Sequence, residues 1–446
     1  MSVASPGLLS VEAARDAVLA LAEPVETETI ASADALGRVT AETVAALVSL
    51  PPWPNSAMDG YAIVAADTVS ASDDTPITLR VIGDVAAGAA PSVTVTPGRA
   101  VRIATGARLP DGADAVVPVE ATTPLDASGA PGPRGRDATG PIPAACLVHE
   151  TIEVGGSVRA AGSDLIAGAT LLGPGVAITA AAVALIAGSG VEHLRVHRRP
   201  RIAVLATGDE VRGPGQALGP AGIPDANGPG LRALVAASGG DAIDLGIATD
   251  DLDDVLGRLR RGLDTGADAL IVSGGVSVGP YDVVKTAFEA IGRIDLWRVA
   301  VQPGKPFAFG TAERPGGVGP DAPVLLFGLP GNPVSSAVTF ELFVRPAVRA
   351  LGGRHDLVRP VDRAVLGEAV RKSRGRRAFI RVQAERDDAG APVRDPRGRV
   401  QVHLAGGQGS HVISALAAAD ALAVIPELDD ELPAGAEVAL WWLDRA

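Results

Sequence analysis

Apolar runs between residue 201 and about 352 alternate regularly with segments of helical periodicity. Five runs have the length and composition of buried strands, and each is followed by a loop rich in Gly, Pro or Asp. Such alternation predicts a parallel sheet with helices on both faces. The predicted strands are IAVLA (202–206), AIDLGI (242–247), ADALIVS (267–273), IDLWRVAV (294–301) and VLLFG (324–328), and the predicted helices cover 229–238, 252–263, 283–291 and 333–349.

The pattern differs on both sides of this region. Residues 8–21 place apolar side chains at helical spacing after Ser10, a candidate N-cap, and a second helix is predicted over 32–44. Short apolar runs from 51 to about 147 predict a β-rich unit, and its tail at 122–144 is expected to be a mobile loop. Residues 150–191 have the pattern of strands and an Ala-rich helix. The remainder, 354–446, predicts a second β-rich unit with a basic stretch at 371–381.

Composition and charge exclude several classes of binding partner and indicate the cellular compartment. The 446 residues suffice for about three domains, and the formal net charge of −13 argues against binding to nucleic acid or to an anionic membrane. The single cysteine, Cys146, excludes an internal disulfide framework and a cysteine-based zinc site. No segment has the pattern of a signal peptide or a membrane span, so we expect a cytoplasmic protein with no membrane contact.

The loops that follow the predicted strands contain the candidate chemistry. Ligands of an open parallel sheet bind beyond the carboxyl ends of its strands, so these loops should meet on one rim. Carboxylates crowded there would repel one another unless a divalent cation lay among them, and oxygen ligands favour Mg²⁺ over Zn²⁺. The loops are TGDE (207–210), TDD (249–251), GGVSVGPYD (274–282), QPGKP (302–306) and LPGNP (329–333), and their acids are Asp209, Glu210, Asp250, Asp251 and Asp282.

The same rim offers groups that attract an anion. The Gly-rich loop 273–279 contains Ser277, and it could present backbone N–H groups to a phosphate-like ion. The helix start at Asn332 and Pro333 adds further donors, and Lys305 adds a positive charge. A metal beside an anion cradle is typical of phosphoryl or nucleotide chemistry.

Each of these motifs also has a plain structural interpretation. TGDE could be a loop whose acid caps a helix, GGVSVG a tight turn, and PGNP a capped helix start. Asp59 in NSAMDG could close an Asx-turn, and Ser410 in GGQGSH could be a turn residue. The basic stretch near Arg371 could be a solvated strand face. The joint occurrence of all these motifs is what favours a functional site.

Six motifs, in order along the chain, resemble the molybdopterin molybdenumtransferases, the family that includes the C-terminal enzyme domain of gephyrin. The resemblance implies insertion of molybdate into adenylated molybdopterin, with Mg²⁺ and release of AMP, to give molybdenum cofactor. The motifs are PPWPNSAMDGYA (51–62), RIATGARLPDGADAVVPVE (102–120), AVLATGDEV (203–211), GGVSVGPYD (274–282), QPGKPFAFG (302–310) and LPGNPVSS (329–336).

The resemblance also implies an architecture and an assembly. It implies a multidomain α/β chain whose central doubly wound parallel-sheet domain, 198–352, binds molybdopterin. A helical N-terminal domain would comprise 1–50 and 147–197, with a β-rich module inserted at 51–146. A β-barrel-like domain would cover 353–446. The subunits would form an elongated homodimer, in which Asp59 reaches the cleft of the partner.

Functional residues of the family match positions of this sequence one by one. The implied catalytic residues are Asp59, Asp164, Glu210, Asp250, Asp282 and Lys305, of which Glu210, Asp250 and Asp282 would hold the metal. Molybdate would contact Lys305, Arg381 and Ser410. The pterin nucleotide would be bound by Thr207, Gly208, Asp209, Ser273, Gly274, Gly275, Ser277, Arg298, Gln302, Gly304, Pro330, Gly331 and Asn332.

Two positions depart from the family pattern. Many members carry Lys where this chain has Arg298 and Gln302. Arg298 keeps the positive charge, whereas Gln302 loses it. Either the site is less cationic in this chain, or another basic group substitutes.

Two other functions fit parts of the same pattern. A molybdopterin adenylyltransferase shares the α/β domain with its GGVSVG and PGNP motifs, but it usually lacks the flanking modules. A non-catalytic pterin carrier or scaffold would retain the pocket without turnover. The expected protein partners are a molybdopterin adenylyltransferase and the apo-molybdoenzymes that receive the cofactor.

Overall fold

The computed structural model describes residues 7–135, 140–275, 283–314 and 322–443. Its N-terminal part begins with helix α1 (Val11–Leu19), and the Ser10 side chain accepts a hydrogen bond from the Ala13 N–H. This confirms the first predicted helix and its N-cap. The strands of this part are β1 (Thr27–Ala31), β2 (Val39–Thr40), β3 (Val44–Ala45), β4 (Asn55–Ser56), β5 (Gly60–Ile63), β6 (Ile77–Val85), β7 (Arg99–Ile103), β8 (Ala115–Pro118), β9 (Thr122–Leu125), β10 (Ala145–Val148), β11 (Val158–Arg159), β12 (Thr170–Leu172) and β13 (His193–His197).

Strand pairing divides this part into two units. Strands β5 to β10 form one six-stranded sheet in the order β8-β5-β7-β6-β10-β9. Strands on either side of that segment pair with each other, as β1-β13-β2, β4-β11 and β3-β12. The chain therefore leaves its first unit, builds the six-stranded sheet and returns, and helix α2 (Ala180–Gly188) follows the return.

Two expectations for this part are wrong. The predicted helix over 32–44 is a 3-10 turn (Ser32–Asp34) followed by β2 and β3. Gly37 has φ +72°, which interrupts helical geometry, and β2 then pairs with β13. The segment 122–144, expected to be a loop throughout, begins with β9, which pairs with β10, and only residues 136–139 of it lie outside the described residues.

A six-stranded sheet, called the central sheet below, forms the middle of the chain. Its order is β17-β14-β18-β22-β21-β19, and β17, β14, β18 and β22 are mutually parallel. The strands here are β14 (Arg201–Thr207), β15 (Val211–Arg212), β16 (Ile223–Pro224), β17 (Asp241–Ala248), β18 (Ala269–Ser273), β19 (Gly292–Arg298), β20 (Val301–Gln302), β21 (Pro306–Ala312) and β22 (Val324–Leu329), and the helices are α3 (Asn227–Ala237), α4 (Leu252–Asp264), α5 (Val283–Ile291), α6 (Pro333–Thr339) and α7 (Arg345–Leu351).

The predicted doubly wound α/β class is confirmed, with one strand missed. β21 is antiparallel to both β22 and β19. Its apolar residues directly follow QPGKP, so the sequence analysis treated them as part of that motif and predicted no separate strand. β19 still runs in the direction of β22, so its carboxyl end reaches the same rim as those of the parallel strands. Helices α6 and α7 form one continuous helical segment through a π-helical turn (Phe340–Val344).

Both faces of the central sheet are buried, which explains the uninterrupted apolar strands. Ile202 and Val204 of β14 face a cluster shared with α1, α3, α6 and α7. Ala203 and Leu205 face a cluster shared with α4 and α5. Successive side chains of β14 therefore point alternately to the two helical layers that cover the sheet.

The C-terminal part is a closed five-stranded barrel. Its circuit is β25-β26-β23-β29-β27, closed by the pairing of β25 with β27. β20 adds to this barrel by pairing in parallel with β25, which joins the central region to the barrel. The elements are β23 (Val361–Leu366), β24 (Val370–Arg371), β25 (Arg377–Ala384), β26 (Val400–Leu404), α8 (Ile413–Ala418), β27 (Ala421–Ile425), β28 (Glu431–Leu432) and β29 (Glu437–Trp442). Within the described residues, every helix is too short or too polar to cross a bilayer.

Candidate functional site

The carboxyl ends of the central strands border a cleft of about 1080 Å³, called the rim cleft below. Its lining brings together loops that are far apart in sequence, as the strand order predicts. The lining includes Thr207, Gly208, Glu210, Asp225, Asn227, Asp250, Ser273, Gly274, Gly275, Gly331, Asn332, Pro333 and His411.

Three rim loops are tied together by side chains and backbone groups. The Thr207 hydroxyl donates to the carbonyl of Ser273 at 3.3 Å, and the Ser273 hydroxyl donates to the carbonyl of Pro330 at 3.4 Å. The Gly274 N–H donates to the carbonyl of Leu329 at 3.1 Å. The two buried hydroxyls therefore set the spacing between the loops that end β14, β18 and β22.

Gly274 is required at the rim because its loop lies very close to the end of β14. Gly274 has φ +104°, and a methyl group there would lie 2.6 Å from Oγ1 and 2.8 Å from the carbonyl oxygen of Thr207. Any side chain at this position would push the loop away from β14. By contrast, a methyl group at Gly331 would meet only the Cα of Gly274, at 3.6 Å.

Hydrogen bonds join the two acidic loops, TGDE and TDD. The Asp250 N–H donates to the Asp209 carboxylate at 3.0 Å, and the Asp209 N–H makes a longer bond of 3.4 Å to the Asp250 carboxylate. Asp209 does not line the rim cleft, whereas Glu210 and Asp250 do. Asp209 thus positions the loop of Asp250.

Glu210 and Asp250 are the acids available to a cation. Both are exposed, and no Lys or Arg of the described residues forms an ion pair with either carboxylate. No group of three potential ligands is assembled among the described residues. The third predicted metal ligand, Asp282, lies outside them, as does Ser277.

Asn332 begins α6 without capping it. It occupies the N-cap position, but its side chain makes no capping hydrogen bond, and Pro333 is the first helical residue. The amide of Asn227 instead fixes the turn, donating to the carbonyl of Gly331 at 2.7 Å. The exposed Asn332 side chain therefore remains available at the cleft.

A loop of the barrel completes the rim. The Val334 N–H, in the first turn of α6, donates to the carbonyl of Ser410 at 3.1 Å, and His411 lines the rim cleft. The predicted anion ligand Ser410 is thereby brought to the α/β rim within one chain. The same contact uses one of the N–H groups that α6 could otherwise offer to an anion.

Arg381 lies behind this loop and is 1% exposed. Its Nη2 donates to the carbonyls of Gly407 and Gly409, both at 3.2 Å, and its Nε has no hydrogen-bond partner among the described residues. The Gln408 side chain accepts from the Arg381 N–H and donates to its carbonyl, which anchors the loop to β25.

The electrostatics of Arg381 differ from those of the other buried arginines. Arg345, Arg349 and Arg359 each form an ion pair with a carboxylate. No described carboxylate pairs with Arg381, and burial lowers the pKa of its guanidinium. A buried cation without a counter-charge is unfavourable unless an anion arrives from outside the chain.

The QPGKP loop lies between α6 and the barrel. A methyl group at Gly304, which has φ +106°, would lie 2.5 Å from Oγ1 of Thr339 in α6. Lys305 and Arg298 are exposed. The Gln302 side chain accepts a hydrogen bond from the Ser373 N–H at 3.2 Å, so this position contacts the basic stretch.

Two predicted acids lie in the N-terminal part and do not line the rim cleft, and the predicted residues Arg298, Gln302, Gly304, Lys305, Pro330, Arg381 and Ser410 do not line it either. Asp59 belongs to the N-terminal part, and its carboxylate accepts from the N–H and hydroxyl of Thr105 at 2.7 and 2.9 Å. These bonds, rather than an Asx-turn, occupy it. Asp164 is exposed in a turn, and its backbone N–H donates to the carbonyl of Leu50. Neither lines the rim cleft of its own chain.

Sequence reasoning missed three polar residues that line the cleft, Asp225, Asn227 and His411. Asn227 is the first residue of α3, and Asp225 precedes that helix, where its carboxylate accepts from the Gly228 N–H at 2.9 Å. His411 follows the predicted ligand Ser410. The DAN segment, 225–227, is a recognisable helix-start signal, but its proximity to Gly331 depends on tertiary packing.

Comparisons with known proteins agree with this arrangement along the whole chain. Residues 9–190 match the family described as "MoeA N-terminal region (domain I and II)". Residues 203–350 match "Probable molybdopterin binding domain", and 363–443 match "MoeA C-terminal region (domain IV)". The three matches follow the same order as the three parts of the fold.

Individual relatives cover nearly the full length. Molybdopterin molybdenumtransferase 2 of Mycobacterium tuberculosis is 36% identical over 93% of this chain and 94% of its own. The molybdopterin molybdenumtransferase of Haemophilus influenzae is 31% identical over 97% and 98%. A solved molybdopterin biosynthesis MoeA protein from Pyrococcus horikoshii has a TM-score of 0.75 with 25% identity, covering 98% of this chain and 100% of its own. The chain therefore belongs to the MoeA family of molybdopterin molybdenumtransferases.

Proposed function

We propose that this chain inserts molybdate into adenylated molybdopterin, with Mg²⁺-dependent release of AMP. The observation that carries the proposal is Arg381, a buried guanidinium without a carboxylate, placed behind the loop that joins the barrel to the rim cleft. Molybdate is a tetrahedral dianion, and a fixed cation beside a hydroxyl suits such an oxyanion. Family membership supplies the substrate class.

The oxyanion would be held between barrel and rim. Arg381 provides the charge, Ser410 a hydroxyl, and Lys305 a second cation from the loop packed on α6. Gln302 carries no charge, but its bond to Ser373 places it beside the basic stretch, whose charges would partly replace that of the family's usual Lys. Oxyanion affinity would then depend on both parts of the fold.

The nucleotide end of the substrate would lie in the rim cleft. Thr207 and Ser273 hold the three loops at a fixed spacing, and Gly274 lets backbone approach backbone closely. Glycines 208, 275 and 331, together with Pro330 and the free Asn332 side chain, shape the surface that a phosphate would contact. These residues would orient the bond to be broken.

The donor set fits Mg²⁺. Glu210 and Asp250 present carboxylate oxygens to the cleft without cationic partners in the described part of the chain, and such oxygens are the ligands that Mg²⁺ prefers. We propose that they hold the ion together with Asp282. When bound there, Mg²⁺ would neutralise phosphate charge and make AMP a better leaving group.

The catalytic unit would be a homodimer. Asp59 and Asp164 do not reach the rim of their own chain, so a second copy would supply them. Apolar side chains near these acids are exposed to solvent, including Trp53 at 45% and Met58 at 41%. Contact with a second subunit would bury them.

Mixing two variants tests this arrangement at a Mg²⁺ concentration low enough to leave Glu210→Gln nearly inactive. If Asp59 of one subunit acts beside Glu210 of the other, mixed Asp59→Asn and Glu210→Gln dimers contain one intact site. We expect about a quarter of wild-type activity after random exchange of subunits. Full inactivity of the mixture would place both residues in one chain and contradict the shared site.

AMP release is the decisive assay for the activity itself. Purified protein should release AMP from adenylated molybdopterin only with molybdate and Mg²⁺ present. No release under any of these conditions would overturn the proposal. ATP-dependent adenylation of molybdopterin would instead indicate the adenylyltransferase, a function that the matched N- and C-terminal regions disfavour. A carrier would still deliver cofactor after Glu210→Gln.

Several further expectations belong to this proposal. The protein would act in the cytoplasm, receive its substrate from a molybdopterin adenylyltransferase and pass the product to apo-molybdoenzymes. Its domains would be 1–50 with 147–197, then 51–146, 198–352 and 353–446. Nucleic acid and membranes would have no part in the reaction.

A further inference from the structure

The charged side chains that line the rim cleft are acidic, with one exception. Glu210, Asp225 and Asp250 contribute carboxylates, and no Lys or Arg of the described residues lines the cleft. His411 is the one lining residue in the described ranges that can carry a positive charge, and it belongs to the barrel rather than to the central sheet. A phosphate in this cleft would be repelled by three side chains unless other groups offset their charge.

Most hydrogen-bond donors of the rim already have acceptors within the chain. Donors that bond to backbone carbonyls are the N–H groups of Gly208, Gly274 and Val334, the hydroxyls of Thr207 and Ser273, and the side-chain amide of Asn227. Among the described lining residues, the side-chain donors without such a bond are the ring of His411 and the amide of Asn332. An anion in the cleft would therefore find its free side-chain donors at these two positions.

The backbone around His411 is held in place, although the side chain is exposed. The Ile413 N–H donates to the His411 carbonyl at 3.0 Å, and the Val412 N–H donates to the carbonyl of Gly409 at 3.1 Å. The ring lies against Gly409, where a methyl group would come within 2.9 Å of its Cε1 and 3.2 Å of its Nδ1. Glycine at 409 therefore leaves the room that the ring occupies beside the cleft.

We propose that His411 donates a hydrogen bond to the phosphate of the nucleotide substrate in the rim cleft. This inference rests on the proposed function and adds a ligand from the barrel to a phosphate otherwise bound by the central region. A neutral imidazole has one N–H donor and an imidazolium has two, so the contact does not depend on the charge of the ring. A protonated ring would also offset part of the negative charge of Glu210 and Asp250.

His411 follows the predicted molybdate ligand Ser410, but the two residues do not border the same cavity. His411 lines the rim cleft, whereas neither Ser410 nor Arg381 does. Arg381 lies behind the loop and donates to the carbonyls of Gly407 and Gly409. The loop 407–411 would therefore contact molybdate through Ser410 and the phosphate through His411.

His411→Leu tests the contact, because it removes both ring nitrogens and keeps a side chain of moderate size. Isothermal titration of the full chain with AMP and Mg²⁺ should show binding at least about fivefold weaker, as expected for the loss of one hydrogen bond to a charged group. Adenosine has no phosphate, so its affinity should not change. His403→Leu is the matched control, since His403 is exposed on the barrel strand β26 and does not line the cleft; it should leave both affinities unchanged.

His411→Gln provides a second variant that keeps a donor. Its side-chain amide can replace the ring N–H, so AMP affinity should return to within about twofold of that of the unaltered chain. Equal AMP affinity for His411→Leu and the unaltered chain would overturn the proposal. An equal loss of AMP and adenosine affinity would also overturn it, since the effect would then not involve the phosphate.

Rates of AMP release separate a phosphate ligand from a molybdate ligand. In His411→Leu, the KM for adenylated molybdopterin should rise by about fivefold, whereas the molybdate concentration for half-maximal rate should not change. Ser410→Ala should show the reverse pattern. A raised molybdate requirement with an unchanged KM in His411→Leu would assign His411 to the oxyanion site and contradict the proposal.

Failure of this inference differs from failure of the proposed function. Molybdate-dependent AMP release by the unaltered chain, with the same AMP affinity in His411→Leu, would retain the function and reject the contact. Weaker AMP binding by His411→Leu, without AMP release by the unaltered chain, would retain the contact and reject the function.

Discussion

The two ends of the central sheet carry charge in opposite ways. Where the parallel strands start, Asp268 is 1% exposed and bonds to Arg198, Arg314 and the Arg201 N–H at 2.7–2.8 Å. At the rim, the carboxylates of Glu210 and Asp250 have no cationic partners among the described residues, and the nearby barrel contains the unpaired Arg381. Charge at the first end is balanced within the chain, whereas charge at the second has no opposite partner among the described residues.

The comparison separates stability from function. Balanced buried charge holds elements together, because each partner compensates the desolvation of the other. Unbalanced charge costs folding free energy and is explained by what binds there. Substitutions at the two ends should therefore have opposite signatures in unfolding and activity measurements.

The largest effect is expected for Asp268→Asn. It removes the negative charge and leaves Arg198 and Arg314 without their shared partner. We expect the first unfolding transition in urea to lose about 3 kcal/mol. The fraction that remains folded should keep its molybdate dependence. A loss below about 1 kcal/mol would show that the network contributes little.

Arg381→Met should show the opposite signature. It removes the unpaired cation and keeps side-chain volume, so the free energy of unfolding should change by less than about 1 kcal/mol. Molybdate-dependent AMP release should fall by about a hundredfold, because oxyanion donors in preorganised sites have effects of that size.

Arg198→Met is the matched control for Arg381→Met. It breaks a paired, partly buried cation, so it should lower stability and leave the molybdate requirement unchanged. Equal destabilisation by the two substitutions would contradict the contrast between the two ends of the sheet.

Glu210→Gln should sharpen the contrast within the rim. We expect the Mg²⁺ concentration for half-maximal AMP release to rise by about tenfold, with stability unchanged, because the carboxylate has no partner to lose in the described part of the chain. Asp209→Asn is the comparison, since Asp209 bonds the neighbouring loop. It should lower stability slightly and shift the Mg²⁺ dependence less. The reverse ranking would assign the metal to Asp209.

The pH dependence of stability should show the smallest effect. Burial alone would raise the pKa of Asp268, but hydrogen bonds from Arg198, the Arg201 N–H and Arg314 outweigh it and hold the pKa below its ordinary 3.8. The stabilisation is therefore complete above about pH 4 and is lost as the pH falls through the folded-state pKa. The difference in melting temperature between the unaltered chain and Asp268→Asn should narrow below pH 4. A constant difference down to pH 2 would contradict this assignment.

Local signals in the sequence predicted much of the fold. The Ser10 cap predicted α1, and the periodicity of 252–263 predicted α4 within one residue of its end. The strand-end motifs predicted four of the loops that line the rim cleft, whereas no residue of the fifth, QPGKP, lines it. In each case the determining interactions lie within a few residues or follow from the direction of parallel strands.

Long-range interactions account for the errors and omissions. Residues 39–40 pair with β13, far along the chain, and this overrides the helical pattern at 32–44. The antiparallel position of β21 depends on its neighbours, not on its composition. The missing counter-charge of Arg381 depends on which side chains surround β25 in space. Family resemblance, and not the pattern of residues, is therefore what indicated Arg381 as a ligand.

The pairing of β20 with β25 has a consequence for biosynthesis of the protein. Val301 and Gln302 find their partners, Arg377 and Ala378, only after the ribosome has reached the first strands of the barrel. The central sheet can form earlier, since its strands are complete by residue 329. The loop carrying Lys305 is therefore fixed in place after the central sheet, so a nascent or truncated chain would have its nucleotide rim before its oxyanion site.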